Sequence, residues 1–162
     1  MEDISFRPMD LVTAEEITSW RYPPPYHVYN FYPDAHTFSY LLDGSFFVAF
    51  RGKQLLGFCC YGQHAQVPHA ATLGLYQSGR TDFGLALCPD LVGQGLGASF
   101  VRAGMEFGRQ LFGLPLRLTV AQFNQRAIHV YLSQGFVPHK SFLTPDGRGF
   151  VIMMEQKSNQ AV

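Results

Sequence analysis

The spacing of apolar side chains along the chain reads as short strands alternating with helices. Ile4 to Arg7 alternates apolar and polar residues, as a half-buried strand does. Thr13-Ala14-Glu15-Glu16 has the S/T-x-x-E form of a capping box, which predicts a helix from there to about Trp20. Tyr22-Pro23-Pro24-Pro25 stops it, because proline lacks the backbone donor and holds an extended path. Asp34 predicts the cap of a second short helix carrying Phe38, Tyr40, Leu41 and Leu42, closed at Asp43-Gly44. Phe46 to Phe50 and Leu55 to Tyr61 flank Arg51-Gly52-Lys53 as the arms of a hairpin. Gly62 to Arg80, interrupted by Pro68, Gly74 and Gly79, follows neither period.

The second half is more regular. Phe83 to Cys88 is a short apolar strand, and the turn Gly93-Gln94-Gly95-Leu96-Gly97 leads into a helix from about Leu96 to Leu111. Phe100, Val101, Met105, Phe107 and Leu111 recur there at helical spacing, as in a largely buried helix. Leu116 to Val120 is the next strand. Asn124 caps a helix through Leu132 that Gly135 ends, and Phe136 to Leu143 with Phe150 to Met154 forms a last hairpin. The order βααββ, then β-loop-α-β-α-ββ, predicts a single α/β domain over residues 1–162, a mixed sheet with helices on both faces.

Charge and composition narrow the function. Twelve basic residues balance 12 acidic ones in 162, and no run of Lys and Arg occurs, so nucleic acid is not an expected partner. No stretch reaches the ~18 apolar residues that span a bilayer. Met1-Glu2-Asp3 is acidic where a signal peptide would be basic, so a cytoplasmic protein with no membrane partner is expected. Cys59, Cys60 and Cys88 are odd in number, and adjacent strand residues point to opposite faces. They are expected as reduced, half-buried thiols with no metal site. The sequence leaves the oligomeric state open, a homodimer included.

Candidate chemistry lies in two segments. Glycines at 93, 95 and 97, after a strand and at a helix start, let the backbone approach a ligand and leave N–H groups aimed at it. The helix dipole favours an anion there, so a phosphate or pyrophosphate fits. The pattern is not a P-loop, since Ala98 and Ser99 follow Gly97 with no lysine. The next strand ends Val120-Ala121-Gln122, without the acid that a dinucleotide-binding site wants for the ribose. In the second segment, Asn124 and Tyr131 share one helix face about 10 Å apart along the axis. The small Ala127 between them leaves a groove for a thin, extended ligand.

Pro89-Asp90-Leu91-Val92-Gly93-Gln94-Gly95-Leu96-Gly97-Ala98 resembles the acyl-CoA motif Q/R-x-x-G-x-G/A of the GNAT acetyl-CoA-dependent N-acetyltransferases. Asn124-Gln125-Arg126-Ala127 with Tyr131 and Gly135-Phe136 is similar to that family's N-x-R-A-x-x-x-Y-x-x-x-G-F motif. One position departs, Val92, where the first motif usually has Gln or Arg. The resemblance implies a mostly antiparallel sheet whose strands at 83–88 and 116–120 splay apart around pantetheine. Leu85 and Leu87 would then bond pantetheine through their backbones. Val92, Gly93, Gln94, Gly95, Leu96, Gly97 and Ala98 would hold the pyrophosphate, and Asn124 and Ala127 would line the pantetheine arm. Tyr131 would protonate the departing thiolate.

The attacking amine also loses a proton. In the resembled family the base is a carboxylate on the strand before the glycine loop, or a bound water. Asp82, at the head of that strand, is the candidate carboxylate, whereas Asp90 lies at its far end by the pyrophosphate. His64, His69 and His129 are alternatives without positional support. The aromatic stretch from Trp20 to Tyr32 is read as a roof over the core or as the wall of an acceptor pocket. The expected activity is transfer of an acetyl group from acetyl-CoA to a primary amine of a small molecule or peptide. The alternative is a catalytically silent acyl-CoA-binding module.

Overall fold

A computed structural model describes residues 3–156. Seven strands and five helices follow one another as β1 (Ile4–Pro8), α1 (Leu11–Thr18), α2 (Ala35–Leu41), β2 (Phe46–Arg51), β3 (Gln54–Tyr61), α3 (Pro68–Thr72), β4 (Thr81–Leu87), α4 (Gly97–Phe112), β5 (Leu116–Ala121), α5 (Gln125–Ser133), β6 (Phe136–Leu143) and β7 (Gly149–Glu155). They form one sheet in the order β1-β2-β3-β4-β5-β7-β6. Every neighbouring pair is antiparallel except β4 with β5.

The first helix starts earlier than its sequence suggests. Asp10 is its cap, accepting from Thr13 N–H, while the Thr13 hydroxyl returns to the Asp10 backbone. Thr13 therefore belongs to the first turn, and a reciprocal Asp–Thr box takes the place of the expected Thr–Glu one. Asp34 caps α2 as predicted. Between these helices the proline-stiffened segment contains a short 3-10 turn, Tyr26–Tyr29.

Alternation along the central strands divides the core in two. Cys59, Tyr61, Phe83, Leu85 and Leu87 face α4, packing with Phe100, Val101, Met105, Leu116, Leu118 and Val120. Phe58, Cys60, Ala86 and Cys88 face α1 and α2, with Ile17, Trp20, Leu41, Phe46 and Val48. Cys59 and Cys60 thus point to opposite faces as expected, but both are fully buried rather than half-buried. Helix α4 sits close on the sheet because it presents glycine there. A Cβ on Gly108 would stand 2.5 Å from the Tyr61 ring, and one on Gly104 2.8 Å from the Phe83 ring. Tyr61 seals this contact by donating its hydroxyl to the Gly104 carbonyl at 2.7 Å. No helix among the described residues is long and apolar enough to cross a membrane.

Candidate active site

Strands β4 and β5 pair over only two residue pairs, Thr81 with Leu116 and Asp82 with Arg117, and then separate. The separation exposes one edge of β4. Asp82 C=O accepts from Gly62 N–H and Cys88 N–H donates to Leu56 C=O, so even-numbered residues bond toward β3, whereas Thr81 N–H donates toward β5 at Pro115 C=O. By alternation, the backbone groups of Leu85 and Leu87 point into the fork. Unpaired strand-edge groups of this kind are a template for an extended, amide-containing ligand. The Leu87 carbonyl has one partner already, the Tyr22 hydroxyl at 2.6 Å.

Below the fork the chain turns through Val92 and the glycine loop into α4. Gly93 (φ +82°) and Gly95 (φ +79°) adopt left-handed backbone, and a Cβ on either would meet no atom within 4 Å. Leu96 precedes the helix without a capping side chain, so the first N–H groups of α4, beginning with Gly97, Ala98 and Ser99, have no side-chain acceptor. A 16-residue helix whose N-terminus is left uncapped beside an open glycine loop suits an anion. The Gln94 side chain is tied back to the Asp90 carbonyl at 2.8 Å, which leaves its backbone to the loop's outer face.

Helix α5 forms the other wall. Asn124 caps it, accepting from Ala127 N–H at 3.2 Å, and its amide donates to the Tyr29 hydroxyl at 3.4 Å. Ala127 and Tyr131 pack against the α4-face core, with Tyr131 edge-on to Phe136 at 6.1 Å. The Tyr131 hydroxyl has no hydrogen-bond partner among the described residues, nor is it among the fully buried unpaired polar atoms. Burial, with smaller contributions from Tyr29 and Cys59, pushes its phenol well above the usual tyrosine range. It therefore stays protonated at neutral pH, ready to donate.

The aromatic segment spans this fork. Trp20 is buried against Phe58, Tyr22 holds the end of β4 at Leu87, and Tyr26 and Tyr29 lie on Phe123 at the start of α5. Arg126 lies over the Tyr26 ring, 4.8 Å from its centre. The segment roofs the core at its Trp20 end and bridges β4 to α5 at its other end.

A sequence model of the acetyltransferase (GNAT) family matches residues 13–136, more than half of the chain. The protein belongs to this family. Solved GNAT structures share its fold. The Bacillus anthracis GNAT acetyltransferase superposes with a TM-score of 0.73 at 12% identity over 94% of each chain. A spermidine N-acetyltransferase SpeG chimera from Vibrio cholerae and hSSAT gives 0.71 at 17% over 94% of each. AAC(6')-Ib in complex with ribostamycin and coenzyme A gives 0.69 at 18%, over 99% of this chain and 100% of the other. No curated protein sequence matches.

Within this GNAT fork Asp82 is not the accessible carboxylate expected at the strand head. Only 4% exposed, it is gripped by Arg117 through Nε at 2.7 Å and Nη2 at 2.8 Å, and the Gln66 amide donates to it at 2.8 Å. Arg117 also donates to Gln77 C=O at 2.8 Å. These three N–H donors leave the carboxylate a single lone pair, on Oδ1, and taking a proton there would leave the buried guanidinium without its counter-ion. Asp82 thus stands as half of a buried ion pair on the last paired rung before the strands diverge, and not as the open carboxylate expected of a base. The alternative histidines lie elsewhere. His64 pairs with Asp43 beside the Tyr40 ring, His69 is on α3, and His129 is exposed on α5.

Sequence reasoning held Tyr22 and Tyr29 only as members of the Trp20 to Tyr32 stretch, without their partners at the fork, and missed Tyr76. Each reaches it through a contact distant in sequence, Tyr22 to Leu87, Tyr29 to Asn124 and Tyr76 to Thr119. No local spacing encodes such pairs.

Proposed function

We propose that the protein transfers an acetyl group from acetyl-CoA to the primary amine of a small molecule or peptide. The observation that carries this reading is the fork: β4 and β5 part after two residue pairs, directly above an uncapped helix N-terminus. The residues present fit the donor. The Leu85 and Leu87 backbones bind its pantetheine amides, Val92 to Ala98 receive the pyrophosphate, and Asn124 and Ala127 flank the arm. Bound there, acetyl-CoA supplies a thioester. The amine lone pair forms the C–N bond, the C–S bond breaks, and Tyr131 gives its proton to the departing thiolate and regains one from solvent. With Asp82 locked by Arg117, the amine's proton passes to water.

Two features shape the rest. For the donor's amide to use Leu87 fully, the Tyr22 hydroxyl shares that carbonyl's second lone pair or yields it. The aromatic segment supplies flat, hydroxyl-tipped walls rather than an acidic cluster, which suits a small or peptide-like amine. Spermidine and aminoglycoside acetyltransferases among the structural relatives support an amine acceptor of some kind.

Incubation with acetyl-CoA and spermidine, ribostamycin, tyramine or a dipeptide with a free N-terminus, with free thiol followed over time, tests the reading. Amine-dependent thiol release with at least one of them is expected. Tight acetyl-CoA binding with no release above the amine-free rate for any of them favours the silent binding module instead.

A further inference from the structure

The segment 62–80, which has no legible period in sequence, folds over the α1 and α2 face of the fork and brings one hydroxyl to β5. Tyr76, half-buried, accepts from Val67 N–H at 3.0 Å, and its oxygen lies 2.8 Å from the Thr119 hydroxyl. The Arg117 guanidinium lies over the Tyr76 ring, 5.2 Å from its centre. The tyrosine is thus fixed at both ring and hydroxyl.

Thr119 is placed to use this. Leu116, Leu118 and Val120 point into the α4-face core, so Arg117 and Thr119 point to the other face. Thr119 stands two residues beyond the last β4–β5 rung, about 7 Å up the open fork. Continuing the parallel register two residues sets Gly84 opposite it on β4. Gly84 offers no side chain, and a Cβ there would meet the Cys60 sulfur at 2.9 Å. The strands part at this level and one of the facing residues is only backbone. The half-buried Thr119 hydroxyl is therefore on the face where α1 and α2 pack, at the level where the strands part. The neighbouring charges are already matched, Asp82 with Arg117, while the Thr119 hydroxyl has Tyr76 as its side-chain partner among the described residues.

We infer that the Thr119 hydroxyl accepts an N–H hydrogen bond from the attacking primary amine, aiming its lone pair into the fork, and that Tyr76 is the positioning residue that holds that hydroxyl. Val67 N–H occupies one lone pair of the Tyr76 oxygen, which leaves the phenol proton to give to Thr119. Thr119 then has a lone pair for the amine. The inference rests on the acetyl-transfer reading and adds the residue that recognises the acceptor's amino group.

The test compares Thr119→Val, Thr119→Ser, Tyr76→Phe and the double variant Tyr76→Phe/Thr119→Val with the parent, using whichever of the four amines named above gives the highest kcat/KM. Thr119→Val keeps the shape and removes the hydroxyl. It should lower kcat/KM for the amine about tenfold or more, weaken calorimetric binding of that amine to the CoA-loaded protein, and leave acetyl-CoA affinity and Tm near parental values. Thr119→Ser should restore most of the loss. Tyr76→Phe should act in the same direction by a smaller factor, and the double variant should be no worse than Thr119→Val alone, since Tyr76 acts through Thr119. A parent that releases thiol with an amine while Thr119→Val stays within twofold of it overturns the inference and leaves acetyl transfer standing. So does a Thr119→Val defect that Thr119→Ser fails to repair. A parent that releases thiol with none of the amines overturns acetyl transfer, and this assignment with it.

Discussion

Replacing Tyr131 by phenylalanine is expected to lower kcat by about 10²–10⁴, the usual contribution of a general acid. That range corresponds to about 3–5 kcal/mol on the barrier. The ring's edge contact with Phe136 and its packing in the α4-face core are kept, so the fold and acetyl-CoA affinity should change little. The effect belongs in kcat because the phenol proton is needed only as the C–S bond breaks. Its pKa, raised above the usual value near 10 by burial, fixes the pH dependence. The acid stays protonated from neutrality to beyond pH 10, so loss of the Tyr131 proton should produce no alkaline fall in kcat below that pH. Turnover by Tyr131→Phe within a few-fold of the parent would make Tyr131 only a core tyrosine.

The second large effect is on stability. Arg117→Met leaves the Asp82 carboxylate buried with only the Gln66 amide for company, and breaking a buried pair from one side costs about 3–5 kcal/mol. Urea denaturation should show a loss of this size. Asp82→Leu/Arg117→Met, which removes both charges, should recover much of it, because the desolvation cost of two ions disappears with their attraction. A loss below about 1 kcal/mol for Arg117→Met would mean that the pair is hydrated in solution and does not fasten the fork.

These residues also show how far the sequence could be read. Regular stretches were legible: the β2–β3 hairpin, α4, and α5 with its Asn124 cap follow from apolar spacing and local capping chemistry. The start of α1 is ambiguous in sequence because two overlapping capping patterns, at Asp10 and Thr13, differ only in which residue takes up helical backbone. Asp82 carried the right address, the head of β4, but its role depends on Arg117, 35 residues on. That arginine becomes its neighbour only through the parallel pairing of β4 with β5. Charge alone could not tell a free base from half of an ion pair. The segment 62–80 gave no signal because it is a 3-10 turn, a five-residue helix and loops, anchored by single side chains such as Gln66, Tyr76 and Arg80 rather than by a periodic face.

The acyl-CoA site at the fork is the claim on which the rest depends, and calorimetric titration with acetyl-CoA of the parent and of Gly95→Val tests it most directly. Gly95 sits at φ +79° facing open space, so a valine both strains the loop and puts a branched side chain where the proposed site has the backbone meet the pyrophosphate. Left-handed backbone costs a β-branched residue roughly 1–3 kcal/mol. Circular dichroism of the variant should still show a folded protein, since this loop lies outside both cores. The parent is expected to bind acetyl-CoA, and folded Gly95→Val to bind it at least tenfold more weakly. Equal affinity in the two proteins would place any acyl-CoA binding somewhere other than the glycine loop.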